Sequence, residues 1–213
     1  MSRLRRGFDL LAPHYRWMER VLAGPVLQSC RTEHLPAIAN SRKILLLGEG
    51  PGRFLSEVIR FSPSTQITCL DSSPGMLAQA RSANPSPRVS FVNADVSEHD
   101  LGFECYDTVA THFFLDCFPP DQLRQLISRI ARTLKPGGLW LISDFRLPPF
   151  GPQRWRAAIL LKFMYLFFRT VTGLPARQLT NPDPFLDQHG LVLLKRHTTN
   201  FGLLHSDLWR KSD

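Results

Sequence analysis

From residue 43 onward, short apolar runs alternate with segments of helical periodicity, and this alternation limits the fold more than any other feature. Helical patterns lie at Arg53–Phe61, Pro74–Ala83 and Pro120–Leu134. The apolar runs are as short as parallel strands covered on both faces usually are, and they lie at Lys43–Leu47, Gln66–Leu70, Arg88–Val92, Tyr106–Thr111 and Leu139–Ser143. The alternation predicts βαβ units and a mostly parallel sheet.

The C-terminal part adds two strands to this sheet. A short helical segment at 182–190 precedes two strand-like runs, Leu191–Arg196 and Leu203–Trp209, which brings the predicted sheet to seven strands. Pro136 and the two glycines after it are expected to end the helix that begins at Pro120. We predict one domain with an N-terminal helical cap (1–42, with an amphipathic helix at Phe8–Leu22), a core (43–145), a helical insertion (146–181) and a C-terminal helix and strands (182–213).

The composition excludes several classes of protein. The chain has 213 residues, of which 43% are apolar and 21% charged, so it is expected to be globular rather than disordered. It contains no uninterrupted apolar run of about 18 residues, the length that a membrane span needs. Its four cysteines share no metal-binding spacing. We therefore expect no metal site and a reducing, cytoplasmic location.

The net charge of +8 is unevenly distributed along the chain. Residues 1–43 carry +5 and residues 146–213 carry +6, whereas residues 44–145 carry −3. This pattern is found in nucleic-acid-binding proteins and in proteins that rest on anionic membranes. An ordinary solvated surface accounts for it equally well, so charge alone leaves the three interpretations open.

A glycine-rich loop follows the first predicted strand. The segment 44–54 reads ILLLGEGPGRF, in which an apolar strand leads into Gly48, Gly50 and Gly52 and a helix begins at Arg53. Closely spaced glycines let the backbone turn sharply and approach a ligand. The dinucleotide fingerprint would need its third glycine at position 53, where Arg53 stands, so NAD and FAD are disfavoured.

Acidic residues follow the next two strands. Asp71 ends the second strand, where a carboxylate can accept hydrogen bonds from both hydroxyls of a ribose. Asp95 follows the third strand, where it could meet an adenine amino group. The alternatives are that Asp71 only caps the helix after it and that Asp95 is only a turn residue.

These segments together resemble a class I S-adenosylmethionine-dependent methyltransferase. GEGPG, LDSSPGML, NADV, YDTVATHFFLD and LKPGGLWLISDF occur in the order and spacing of that family, and FDLLAPHY at 8–15 is similar to the start of its ubiquinone/menaquinone-biosynthesis branch. The resemblance covers residues 8–145 well and the remainder loosely. It implies a three-layer α/β Rossmann-like fold and S-adenosylmethionine as the cofactor.

The resemblance also implies a role for individual residues. The three loop glycines would wrap the methionine part of the cofactor, and Asp71 would hold the ribose. The other expected contacts are Ser72 and Met76 beside the adenosine, Ala94, Asp95 and Val96 around the adenine, Thr111 and His112 under the sulfonium, and Tyr15 closing over it. Many members have an acid two residues before the first glycine, where this chain has Leu46. We expect Glu49 to contact the methionine ammonium instead.

Methyl transfer from a sulfonium has a neutral leaving group, so the reaction depends mainly on alignment of donor and acceptor. An oxygen or carbon acceptor also needs to lose a proton. His112 and Asp116 are the candidate bases, and His14 and His205 are more remote along the chain. His112 titrates near neutrality when unperturbed. The alternative is a structural histidine that contacts cofactor or backbone.

The acceptor is expected to be a small, hydrophobic molecule such as a quinone precursor, a phenol or a lipid-like metabolite. Residues 157–168, AAILLKFMYLFF, contain one charged residue, Lys162, and arginines flank them on both sides. Such a helix is buried, pairs with a second copy of the chain, or contacts lipid. We expect it to cover the acceptor, with Phe113, Phe114 and Phe118 opposite, and to allow peripheral membrane contact through residues 154–169.

Other acceptors fit the sequence less well. Methylation of amino groups on nucleic-acid bases in this superfamily typically uses an Asn/Asp-Pro-Pro-aromatic motif after the fourth strand, where this chain has THFF. Arginine methylation of proteins typically uses two glutamates there, and residues 106–121 contain none. Nucleic acid is therefore disfavoured. A non-catalytic cofactor-binding protein that uses its basic insertion to bind a membrane or a partner stays as the alternative.

Overall fold

The computed structural model describes residues 24–213, which form a seven-stranded sheet of order β3-β2-β1-β4-β5-β7-β6. The strands are β1 Lys43–Leu47, β2 Gln66–Asp71, β3 Val89–Asn93, β4 Tyr106–His112, β5 Leu134–Phe145, β6 Leu191–Thr199 and β7 Leu204–Lys211. Strands β1 to β5 run parallel, and β7 lies antiparallel between β5 and β6. The predicted mostly parallel, seven-stranded sheet is confirmed.

Helices cover both faces of the sheet. Ile44 and Leu46 of β1 pack with Phe54 on one face, whereas Leu45 and Leu47 pack with Ile127 on the other, as alternating strand side chains require. The three-layer α/β fold is therefore confirmed. The helices are α1 Gly24–Thr32, α2 Arg53–Phe61, α3 Pro74–Ala83, α4 Pro120–Thr133, α5 Pro152–Thr172 and α6 Asp183–Gln188, with 3₁₀ turns at Leu35–Ile38, Leu115–Cys117 and Asn200–Gly202.

The junction between α4 and β5 differs from the expectation. Helix α4 ends at Thr133, and Leu134 already has extended backbone angles (φ −72°, ψ 136°) and pairs with Tyr106 of β4. Pro136 and the two glycines after it lie inside β5, so the prediction that they end the helix is wrong. Pairing with β4 ends the helix before the proline is reached.

Helix α5 forms the insertion and is much longer than its apolar centre. Its 21 residues span about 31 Å, and only Ala157, Leu161, Tyr165 and Thr172 are buried. The face that packs on the protein meets Leu174, Ala176 and Leu203. A helix buried on all sides is therefore ruled out. None of the helices in residues 24–213 combines the length and hydropathy that a membrane crossing requires.

The fold places the predicted site at one edge of the sheet. Strands β1, β2, β4 and β5 all end there, and α2 and α3 begin there, as in other open α/β sheets that bind ligands at the carboxyl ends of their strands. The predicted N-terminal helix at Phe8–Leu22 and the predicted contact of Tyr15 lie outside the described residues.

Candidate functional site

The glycine loop turns sharply because three of its positions require glycine. Gly48, Gly50 and Gly52 have positive φ angles of 64°, 63° and 84°. A Cβ atom on Gly48 would overlap the ring of Phe114, whereas a Cβ atom on Gly50 would meet no atom within 4 Å. The loop therefore packs tightly on its inner side and leaves open space at Gly50, as close approach of a ligand to the backbone requires.

Glu49 lies at the beginning of α2, which follows the left-handed residue Gly52. Its Oε1 accepts hydrogen bonds from the backbone N–H groups of Phe54 and Leu55, at 2.7 and 3.0 Å. Burial raises the pKa of Glu49 to about 7. The carboxylate thus caps the helix through one oxygen, and its predicted contact with the methionine ammonium stays a prediction.

Asp71 joins the glycine loop to the turn before α3. Its Oδ2 accepts a hydrogen bond from the N–H of Gly50 at 3.1 Å, and its Oδ1 accepts one from the N–H of Ser73 at 2.8 Å. The cap of α3 is Ser73, whose hydroxyl oxygen accepts from the N–H of Met76. Asp71 is therefore not the cap of this helix, and its carboxylate lies beside the open side of the loop.

The segment after β3 combines packing and turn residues. Val96 is buried in the core and Ala94 packs against it, with the N–H of Ala94 donating to the carbonyl of Asp71 at 3.3 Å. Oδ1 of Asp95 accepts from the N–H and hydroxyl of Ser97. The turn role considered for Asp95 is therefore present, and the predicted adenine contacts of this segment stay predictions, as do those of Ser72 and Met76.

The end of β4 holds Thr111 and His112, whose side chains have different environments. The hydroxyl of Thr111 is buried and accepts a hydrogen bond from Nε1 of Trp140 at 2.9 Å. His112 is 8% exposed, and its ring meets that of Phe54 edge to face, with centroids 4.4 Å apart. Neither ring nitrogen of His112 has a hydrogen-bond partner among the described residues.

The electrostatic surroundings keep His112 neutral. Burial lowers its pKa well below the usual value, and the nearby charges of Arg31 and His34 lower it further. A buried polar group without a partner is destabilising by about 1–3 kcal/mol. Two such atoms at the end of β4 are typical of a side chain that acquires its partner from a bound ligand.

Asp116, after β4, and Asp144, near the end of β5, form a buried acidic pair. The N–H of Asp116 donates to Oδ2 of Asp144 at 3.1 Å, and the hydroxyl of Tyr165 donates to the carbonyl of Asp116 at 3.2 Å. Burial raises the pKa of Asp116 to about 6. Burial and the neighbouring Asp116 raise the pKa of Asp144 well above its usual value. Burial and mutual repulsion therefore favour the protonated form of this pair.

A cavity of about 720 Å³ lies between α5 and the ends of β5 and β7. Phe145 and Tyr165 line it and both contact the acidic pair. The backbone N–H of Phe145 donates to Oδ1 of Asp144, and the hydroxyl of Tyr165 donates to the carbonyl of Asp116. His205, which the sequence placed far from the other candidates, is buried and also lines this cavity. The volume is typical of pockets for small organic ligands.

The expected aromatic wall is not part of this cavity. Phe114 packs on Gly48 and meets Phe118 at 5.2 Å, and both pack against the core. Phe113 has a positive φ angle of 54° and contacts Phe145, so it supports the wall from behind.

Sequence reasoning missed Asp144 and Tyr165. The sequence does carry a signal for Asp144: it is an acid at the end of a strand, the same feature that singled out Asp71 and Asp95. No local pattern identifies Tyr165, which reaches Asp116 from 49 residues away along the chain. In the described part of the chain no cluster of residues suited to a metal ion is found.

Comparisons with known proteins identify a methyltransferase domain. Residues 44–138 match the family model described as a methyltransferase domain. An uncharacterized methyltransferase of Synechocystis sp. is 30% identical over 163 residues, which cover 76% of this chain and 72% of that protein. The demethylmenaquinone methyltransferase of Chlamydia caviae is 25% identical over 162 residues, covering 76% and 70%.

A bovine tRNA N(3)-cytidine methyltransferase is 30% identical over 128 residues, 56% of this chain but only 33% of that protein. Among solved structures, an O-methyltransferase family protein of Burkholderia thailandensis has a TM-score of 0.76 at 20% identity, over 95% of this chain and 60% of that one. A 1,6-didemethyltoxoflavin-N1-methyltransferase of the same organism, solved with S-adenosylhomocysteine, has a TM-score of 0.70 at 20% identity, over 99% and 88%. These structures share the fold.

Proposed function

The chain belongs to the class I S-adenosylmethionine-dependent methyltransferases, and we propose that it methylates a small, hydrophobic acceptor bound beneath α5. The observation that carries the proposal is the cavity between α5 and the ends of β5 and β7. It adjoins the acidic pair at the same edge of the sheet as the glycine loop. A demethylmenaquinone methyltransferase and a toxoflavin-type methyltransferase among the similar proteins support a small acceptor.

The residues at this edge fit the cofactor. Gly50 leaves space above the loop backbone, Asp71 presents its carboxylate beside that space, and His112 has two ring nitrogens that need partners. When bound, S-adenosylmethionine supplies an activated methyl group whose departure needs no proton. The protein therefore has to orient the two ligands and exclude water, and alignment of donor and acceptor supplies most of the rate enhancement.

The apolar lining of the cavity suits a hydrophobic acceptor. Six of its side chains are large and apolar or aromatic: Phe145, Leu147, Leu161, Tyr165, Leu166 and Leu179. Burial of apolar ligand surface against such side chains is favourable by about 25 cal/mol per Å². A quinone precursor, a phenol or a lipid-like metabolite would gain most from it.

Asp116 is the better placed of the two candidate bases. A base works best when its pKa lies near the working pH, and burial brings that of Asp116 to about 6. Burial and the charge of Asp116 raise the pKa of Asp144 as well, and we assign the proton exchange with the acceptor hydroxyl to Asp116. His112, with its lowered pKa, stays neutral and positions a bound group by hydrogen bonding.

The outer face of α5 is suited to an anionic membrane. Trp155 is 76% exposed and Phe163 66%, and five further apolar side chains share that face: Ile159, Leu160, Leu166, Phe167 and Val171. Arg154, Arg156, Lys162 and Arg169 are exposed on the same helix. Apolar surface bordered by cations matches the interface of a bilayer with anionic headgroups. A hydrophobic acceptor would reach the cavity from there.

The test begins with titration calorimetry of the full chain against S-adenosylmethionine, S-adenosylhomocysteine and NAD as a control. We expect binding of the first two and none of NAD. An acceptor screen then follows release of S-adenosylhomocysteine with apolar phenols and quinone precursors. Turnover of such a compound supports the proposal. Cofactor binding without turnover of any of them would favour the non-catalytic alternative.

RNA is the rival acceptor, because the bovine relative is named for tRNA and the net charge is +8. The salt dependence of binding distinguishes RNA from a small acceptor, since binding to phosphates weakens steeply as the salt concentration rises. Methylation of bulk tRNA that falls with salt, without turnover of small compounds, would contradict a hydrophobic acceptor.

A further inference from the structure

The cavity beneath α5 is lined by an excess of cations. Arg146, Lys162, Arg169, Arg177 and Arg196 line it, and Asp183 is the acid among its lining residues. These basic side chains come from separate segments: the end of β5, two turns of α5, the connection after α5, and β6. Their convergence on one cavity is a property of the tertiary structure.

The acid is paired with Arg196, which it shares with a second carboxylate, Asp207. Its guanidinium donates to both oxygens of Asp183, at 3.0 and 2.9 Å, and to both oxygens of Asp207, at 2.8 and 2.6 Å. Asp207 is fully buried behind it, so Arg196 is a structural ion-pair centre. Its single positive charge is shared by two carboxylates, so it is not available to bind an anionic ligand.

The other four cations have no such partner. Within residues 24–213, the side chains of Arg146, Lys162, Arg169 and Arg177 make no ion pair or hydrogen bond to the protein. Lys162 and Arg169 are seven residues apart on α5, which places them on one side of the helix. Unpaired like charges around a cavity repel one another, and an anion between them relieves the repulsion.

We propose that this cavity binds an anionic group, a phosphate or a carboxylate, carried by the hydrophobic acceptor. The inference rests on the proposed function and specifies its substrate class as an anionic amphiphile. Guanidinium groups suit such anions because they donate in a fixed fork geometry. Oγ1 of Thr180, also in the lining, is buried with no hydrogen-bond partner among residues 24–213 and offers a further donor.

The lining combines the four cations with aromatic side chains, Phe145 and Tyr165, that contact the acidic pair. An anion held by the cations places the apolar part of the acceptor against the aromatic and leucine side chains of the same cavity. The cavity thus selects against neutral and cationic amphiphiles of the same size.

Direct binding tests the inference without any methyl transfer. We would titrate the full chain, at an ionic strength of about 0.15 M, with decyl phosphate, decanoate, decanol and inorganic phosphate. We expect both anionic amphiphiles to bind at least about tenfold more tightly than decanol, as one or more charge-assisted hydrogen bonds imply. Stronger binding of decyl phosphate than of decanoate would identify the phosphate. Equal affinity for decanol and the two anions would overturn the inference.

Two variants and a matched control locate the site. Arg146→Gln and Arg177→Gln each remove one cation, and neither residue lies on α5, so membrane contact is not altered. We expect each to weaken binding of decyl phosphate about tenfold and to leave decanol unchanged. Arg42→Gln, at the amino end of β1 and therefore the opposite edge of the sheet, should change neither. An equal loss in all three variants would indicate charge attraction alone and contradict a built site.

The two proposals fail in different ways. If decyl phosphate and decanol bind equally and neutral phenols are methylated, the proposed function stands and the anionic group is wrong. If bulk tRNA displaces decyl phosphate and itself binds far more tightly, the cations belong to an RNA surface and the amphiphile is wrong. If no amphiphile binds, both the cavity as acceptor site and its anionic group are wrong.

Discussion

The backbone N–H of Gly50 donates a hydrogen bond of 3.1 Å to Oδ2 of Asp71, so the open loop after β1 is tied directly to the end of β2. One carboxylate therefore supports the loop and lies where a ribose is expected. Because the N–H of Ser73 also bonds to Asp71, removal of this side chain changes both local structure and cofactor contacts.

Asp71→Asn separates these two effects. The amide oxygen still accepts one backbone hydrogen bond, so we expect the protein to stay folded, with a loss of about 1 kcal/mol of unfolding free energy. Affinity for S-adenosylmethionine should fall about tenfold or more, because the charged acceptor for two hydroxyls is lost. Calorimetry measures the affinity. Asp187→Asn, at an exposed position of α6, is the matched control. If the affinity of Asp71→Asn equals that of the wild type, Asp71 does not bind the ribose.

His112→Leu distinguishes a structural from a functional histidine. Leucine keeps the apolar contact with Phe54 and removes two buried nitrogens that have no partner. We therefore expect thermal stability equal to that of the wild type or higher. Cofactor affinity or acceptor KM should become about tenfold worse. If stability falls while both binding constants stay the same, His112 only fills space in the core.

Asp116→Asn tests the proposed base. The wild-type rate with a hydroxyl acceptor should rise with pH through about 6, as Asp116 loses its proton against the groups that face it: Asp144, Cys117 and Tyr165. The variant should lose about 10²–10⁴-fold in kcat and lose this rise in rate. Initial rates between pH 5 and 8 measure both. A variant with unchanged kcat would exclude Asp116 as the base.

The same variant has a predicted effect on stability. Because burial raises the pKa of Asp116 from 3.8 to about 6, the folded protein binds this proton more tightly than the unfolded chain does. The free energy of unfolding therefore falls as pH rises between these two values. Asp116→Asn removes that fall, so it should gain stability relative to the wild type as pH rises through this window. Urea unfolding at the two ends of the window measures the difference, and a constant difference would contradict a raised pKa.

The double substitution Trp155→Gln/Phe163→Gln tests the membrane surface of α5. Both side chains are largely exposed, so the fold should not change. Flotation with vesicles of anionic phosphatidylglycerol should be lost, and neutral phosphatidylcholine should bind neither protein. Phe103→Gln, 64% exposed before β4, is the control. Sedimentation tests whether a second copy of the chain covers this face instead. A wild-type dimer that the double variant abolishes, with no flotation of the wild type, would show that it does.

Sequence alone determined the architecture and where the cofactor is expected to bind. The alternation of strand and helix patterns predicted β1 and α2 with their observed ends, since apolar periodicity is a local property that each segment carries by itself. The strand pattern also predicted that Gly50 and Asp71 lie close together, because parallel strands that end at one edge of a sheet bring their final residues and the loops after them together. The end of α4 was missed, because pairing of Leu134 with β4 overrides the local helix signal.

Only the tertiary structure decided which charges and polar atoms meet. Asp116 follows β4 and Asp144 lies near the end of β5, and burial, which no local pattern encodes, raises the pKa of both. Arg146 and Arg177 converge on one cavity because α5 folds back over β5 and β7, whereas in the sequence they are two of many basic residues. Pairing energy and burial depend on distances through space, so the cavity beneath α5 and the charges around it were decided by packing rather than by sequence order.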